Sequence, residues 1–148
     1  MTSTLSAQQF VAKWRQAELK ERSASQSHFN DLCALLGQPA PTDADPTGTW
    51  YAFEAGATKQ SGGEGWADVS KKGYFAWEYK GKHANLEAAY AQLLQYREAL
   101  NNPPLLVVSD IERIIIRTNI TNSATAKYEL SLDDLCDPAK HTHLRLER

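Results

Sequence analysis

Apolar positions open the chain with a helical period. Ser6-Ala7-Gln8-Gln9 has the form of a capping box, and Phe10, Val11, Trp14 and Ala17 continue it as an amphipathic stripe, predicting a first helix to about Glu21. A second helix is expected from Ser25–Ser27, with Phe29, Leu32, Cys33, Leu35 and Leu36 on its apolar face and Gly37 as its stop. Gln38 to Gly48, with Pro39, Pro41 and Pro46, reads as an irregular loop. The period then changes. Thr49 to Glu54 has strand content, a Gly-rich connector follows over 55–64, and the stretch from Trp66 to Lys80 reads as a hairpin, giving three consecutive strands. Asn85 caps a long helix through Leu100 with Leu86, Tyr90, Leu93 and Leu94 on its stripe, ended by Asn101-Asn102-Pro103-Pro104. Leu105 to Val108 reads as a buried strand reached by a crossover, and Arg113 to Arg117 as its neighbour. Beyond Asn119 a strand near Lys127–Leu130 and a short helix near Asp133 are expected.

The hairpin carries the chemistry. In its second arm Tyr74, Phe75, Trp77 and Tyr79 supply the aromatic residues of a strand, and Ala76, Glu78 and Lys80 alternate with the last three. Residues two apart share a strand face, so Glu78 and Lys80 stand on one side; Glu18 and Lys20 have the same spacing on a helix, where they do not face each other. Register decides whether Asp68 joins them. A two-residue turn at Lys72-Gly73 sets Asp68 opposite Trp77, on the wrong face. A three-residue loop of Lys71, Lys72 and Gly73 sets it opposite Ala76, diagonal to Glu78, with Gly73 at the position that wants positive φ. The three-residue loop is the expectation.

Mg²⁺ prefers oxygen ligands and usually takes one or two carboxylates together with phosphate oxygens and water. Asp68 and Glu78 supply the carboxylates, and the Tyr79 carbonyl, between Glu78 and Lys80, a further oxygen. Lys80 would orient or help deprotonate the attacking water and offset charge developing on a phosphate. The alternative is a surface hairpin with a cross-strand acid and base, worth under roughly 1 kcal/mol.

A length of 148 residues fits one domain able to bury roughly two thirds of its unfolded surface. With 42% hydrophobic and 23% charged residues, the composition is that of an ordinary globular chain with no membrane-spanning run, and Met1 to Gln9 lacks a signal-peptide core. A cytoplasmic location is the default expectation. Cys33 and Cys136 are read as reduced core thiols, and His28, His83, His141 and His143 form no ligand pattern. The net charge of −2 and pI near 6.1 argue against strong autonomous binding to a polyanion. Lys71, Lys72, Lys80 and Lys82 nevertheless concentrate positive charge around the hairpin.

The order helix, helix, three strands, long helix, two strands, with an acid and Glu-x-Lys on the second and third strands, resembles the PD-(D/E)xK nuclease fold, although Ala67 stands where that motif has Pro. Gln92-Leu93-Leu94-Gln95-Tyr96 resembles the Gln-x-x-x-Tyr element of RecB-like members, on one helix face. Closer still, Glu21-Arg22, Ser27 to Gly37, Asp68 to Lys80 and Val107 to Ile114 resemble the N-terminal nuclease domain of MmeI-type fused restriction-modification enzymes, over most of residues 8 to 135.

The resemblance implies an α/β (α+β) restriction-endonuclease-like core, a mixed central sheet flanked by helices. It implies Asp68, Glu78 and Lys80 as the metal and catalytic centre, with Glu21 as a further acid or else a helix-end salt bridge. Gln92 and Tyr96 then orient the nucleophile or a phosphate, or form a polar pair at a helix edge. The implied activity is Mg²⁺-dependent hydrolysis of double-stranded DNA, with Mn²⁺ as a substitute. Implied partners are a covalently linked methyltransferase, which would use S-adenosylmethionine, a target-recognition region, and a second nuclease domain. On this reading the 148 residues are the N-terminal piece of a larger protein, inactive or weak when isolated. Alternatives are a catalytically silent DNA-contact or assembly domain and a freestanding RecB-like repair nuclease. Asp110 and Glu112 receive no role, because acids are common in turns for local backbone reasons.

Overall fold

The computed structural model describes residues 6–17, 22–55, 67–82, 84–137 and 139–140. Its elements are α1 (Ala7–Arg15), α2 (Arg22–Leu36), the short α3 (Pro41–Ala44), β1 (Tyr51–Ala55), β2 (Ala67–Lys71), β3 (Phe75–Tyr79), α4 (Leu86–Tyr96), β4 (Leu105–Ser109), β5 (Arg113–Thr118), β6 (Lys127–Ser131) and a final 3₁₀ turn (Asp133–Cys136). Ser6 and Gln9 exchange both hydrogen bonds of the capping box, and the Asn85 side chain accepts from Glu87 and Ala88 N–H, so both expected helix starts stand. α1 is shorter than expected. α2 begins earlier, at Arg22, and α4 gives way to turns at Arg97, before the expected Leu100. The expected loop after Gly37 contains α3, which Pro41 starts from the first helical position, where its missing N–H costs nothing.

The six strands lie in the order of the sequence, β1-β2-β3-β4-β5-β6. β3 and β4 pair in parallel, joined by the α4 crossover, and every other neighbouring pair is antiparallel. The protein is therefore a mixed α/β fold whose mixed sheet carries helices on both faces.

Alternation along each strand divides the core in two. On one face Phe75, Trp77, Val107, Ile114 and Ile116 pack with Phe10 and Trp14 of α1 and Phe29 and Leu32 of α2. On the other, Ala76, Leu106, Val108 and Ile115 pack with Leu86, Ala89 and Leu93 of α4. Burial on both faces is why β4 and β5 read as unbroken apolar runs. Phe29 meets Trp77 edge to face, centroids 5.2 Å apart. Asp45, 5% exposed, starts the sheet: its carboxylate accepts N–H bonds from Trp50 and Tyr51 at 2.7 and 2.9 Å.

No helix among the described residues is long and apolar enough to cross a membrane.

Candidate active site

The hairpin loop has the expected three residues, shifted by one position. Lys71 pairs with Phe75, Ser70 with Ala76 and Val69 with Trp77, which leaves Lys72, Gly73 and Tyr74 as the loop. Two contacts draw Lys71 into the sheet. Its backbone pairs with Tyr51 of β1, and its ammonium lies 5.0 Å from the Tyr51 ring and 4.5 Å from the Tyr74 ring. Tyr74 N–H then bonds Lys71 O at 2.9 Å, and Gly73, at φ +81°, takes the third position of a turn that requires positive φ there. The β1 pairing behind this shift cannot be seen in the hairpin's own residues.

Continuing that register sets Asp68 across from Glu78, two residues further along β3 than Ala76. Ala67 packs with the α4-side core and Val69 with the α2-side core, so the strand turns between them. Asp68 turns toward β3, and its Oδ2 accepts the Tyr79 N–H at 2.7 Å. A side chain thus takes the ladder donor that a β2 carbonyl would otherwise receive. β1 is interrupted at the same level: Phe53 pairs with Val69 and Ala55 with Ala67, while Glu54 between them has φ +59°, uncommon for a residue with a side chain.

The Asp68 carboxylate therefore rests on the peptide that joins Glu78 to Tyr79. On the far side of Tyr79, Lys80 N–H bonds Ser109 O at 2.8 Å, and Lys80 Nζ lies 3.6 Å from Glu78 Oε2. The Glu78 side chain is 15% exposed and that of Lys80 34%, so the pair is partly screened yet reachable from solvent. Asp68, Glu78 and Lys80 are linked through the short segment at the end of β3.

A cavity of about 10 Å³ adjoins Asp68, lined by Ser25, Gln26, Phe53, Glu54, Val69 and Tyr79, which is room for about one water. Gln26 Nε2 donates to Glu54 Oε2 at 2.9 Å. Glu54 is a second carboxylate beside Asp68 that the residue pattern does not reveal, since only the pairing of β1 with β2 brings it there.

Beneath the segment lies His28, 1% exposed, whose Nδ1 shares a 2.8 Å hydrogen bond with the Tyr79 hydroxyl. Phe10, Trp14 and Tyr79 all meet its ring edgewise, at 5.3, 4.9 and 5.4 Å. Burial lowers its pKa from 6.5 to about 4, outweighing the nearby Asp31 carboxylate, so the imidazole is neutral at pH 7. Burial likewise holds the Tyr79 hydroxyl well above its usual range, as a phenol. His28's place on the apolar face of α2 marks it as a core residue in the sequence, but nothing there names its partner.

No family model, curated protein or solved structure matches this chain.

Gln92 and Tyr96 lie half-buried on α4, and Tyr96 packs against the α4-side core. Because β3 and β4 are parallel, α4 runs back from the Lys80 end toward the start of β4. At a rise of ~1.5 Å per residue, Gln92 and Tyr96 come ~9 and ~15 Å along the axis from Leu86. Glu21, His83, His141 and His143 lie outside the described residues. Asp110 serves the backbone, its Oδ1 accepting Glu112 and Arg113 N–H, both at 2.8 Å, which shapes the β4–β5 turn. Cys33 is buried, with its thiol pushed up to about 11 by burial, and Cys136 is half-buried; neither is in a disulfide.

Among the described residues no group of three or more His, Cys, Asp or Glu side chains is arranged to hold a metal ion. Asp68, Glu78 and the Tyr79 carbonyl are fewer donors than a structural zinc cage needs; they are of the oxygen type that Mg²⁺ takes alongside water and phosphate.

Proposed function

We propose that this chain is a metal-dependent nuclease domain with a PD-(D/E)xK-like core that hydrolyses DNA phosphodiesters. The observation that carries the reading is the 2.7 Å hydrogen bond from Tyr79 N–H to Asp68, next to the 3.6 Å contact of Lys80 with Glu78. The two contacts support the reading because they involve the acid, the Glu and the Lys that the motif requires.

In this reading Asp68, Glu78 and the Tyr79 carbonyl hold Mg²⁺, or Mn²⁺ in its place, and Glu21 is a further candidate ligand. Such an ion supplies Lewis-acid polarisation of a phosphoryl oxygen and lowers the pKa of water. Lys80 orients the attacking water and opposes negative charge on the phosphate, and its contact with Glu78 keeps the ammonium at the centre. Gln92 and Tyr96 act from α4 on a flanking phosphate.

The net charge of −2 gives the chain little affinity of its own for DNA. On the resemblance to MmeI-type enzymes, capture and sequence choice would fall to covalently linked methyltransferase and target-recognition regions, the former using S-adenosylmethionine. Pairing of two nuclease domains would serve the two strands.

Plasmid nicking tests the proposal. Mg²⁺ or Mn²⁺ should support nicking, slow in the isolated chain, that Asp68→Ala and Lys80→Ala each abolish; circular dichroism should show both variants folded, Asp68→Ala with a lowered melt because it strands the Tyr79 N–H. Undiminished cleavage by both variants would sink the assigned centre.

A further inference from the structure

We propose that His28 is a positioning residue for this centre: its hydrogen bond to the Tyr79 hydroxyl fixes the peptide segment carrying Glu78, the Tyr79 carbonyl and Lys80. The inference rests on the metal-centre reading above and adds to it a residue from a different layer of the fold.

Tyr79 is held at three points. Its N–H is bound by Asp68, the N–H of the next residue by Ser109 O at 2.8 Å, and its hydroxyl by His28. The first two fix the segment within the sheet. His28 acts from outside the sheet, because α2 packs on the face from which the Tyr79 side chain projects. Tyr79 also stacks on Trp77, centroids 5.8 Å apart and planes 25° from parallel, so its ring has packing on one side and a polar anchor at its tip.

The anchor is itself rigid. His28 is enclosed by Phe10 and Trp14 of α1, and Trp14 is in turn pinned by its Nε1–H to Asp31 at 3.0 Å. Tyr79 is thus tied through its side chain to the packing of α1 on α2, and through its backbone to Asp68 and the Glu78–Lys80 pair. A ligand carbonyl depends on such support for its direction, as outer groups do in metal sites generally.

Mn²⁺ binding to the 148-residue chain, measured by titration calorimetry, tests this. His28→Phe keeps the aromatic packing and Tyr79→Phe removes a single oxygen. Each should weaken Mn²⁺ binding by about tenfold or more, the double variant no further than either single one, and His28→Asn should restore most of the affinity by keeping a polar atom near Nδ1. Melting temperatures of the same variants report folding separately. A lowered melt with unchanged Mn²⁺ affinity in Tyr79→Phe would overturn the proposal and leave the metal centre standing, even if His28→Phe failed to fold. Absence of Mn²⁺ binding to wild type, or binding that Asp68→Ala leaves intact, would instead overturn the metal centre and the positioning role with it.

Discussion

The Asp68 carboxylate accepts the backbone N–H of Tyr79 at 2.7 Å, and so a β2 side chain closes the hairpin ladder where a main-chain carbonyl would be expected. The bond sets the acid against the peptide that joins Glu78 to Tyr79, one residue before Lys80. It also explains why the hairpin tolerates a change of facing between Ala67 and Val69: the N–H left over by that change has found a partner.

The hairpin register depends on Gly73. At φ +81°, and with open space where a Cβ would stand, it is constrained by backbone conformation alone. Gly73→Ala should cost about 1 kcal/mol of stability, read as a lower urea midpoint at unchanged m-value. A neutral substitution would mean that the turn has another geometry.

His28 predicts an acid-sensitive fold. Its folded pKa, about 4, lies below the ordinary 6.5. The unfolded chain therefore binds the proton first as pH falls, and the stability present above pH 6.5 is lost as pH falls toward 4. Between pH 7 and pH 5 the loss from this group is about 2 kcal/mol. Urea unfolding at the two pH values measures it, and His28→Asn should flatten the difference.

The α4 crossover depends on Leu93, which is wholly buried between the helix and the sheet. Leu93→Ala should destabilise the protein by about 2–5 kcal/mol. A two-state denaturation curve shifted by less than about 1 kcal/mol would mean that α4 is held mainly by its polar contacts, such as the 2.6 Å bond from Arg117 to Glu87.

Much of this architecture is legible in the residue pattern for local reasons. Ser6 and Asn85 announce helix starts because their side chains satisfy the donors of the following turn. The runs at Leu105 and Arg113 announce doubly buried strands, and the faint strand and turn near Lys127 and Asp133 both form. What the pattern hides is set across strands. The Tyr51–Lys71 pairing shifts the loop by one residue, and the turn between Ala67 and Val69 sends Asp68 toward β3. Glu54 reaches the site only through the β1–β2 register, and His28 only through the packing of α2 beneath β3. Alternation gave the side on which Glu78 and Lys80 stand, and could not give the in-plane turn of Asp68.

The most direct test of the proposed centre is an anomalous difference map, recorded at the manganese edge, from crystals of this chain soaked in Mn²⁺. The account predicts a peak bonded to the Asp68 and Glu78 carboxylates and the Tyr79 carbonyl, absent from crystals of Asp68→Ala. Manganese held by other acids, such as Asp133 and Asp134, with none at the hairpin would contradict it.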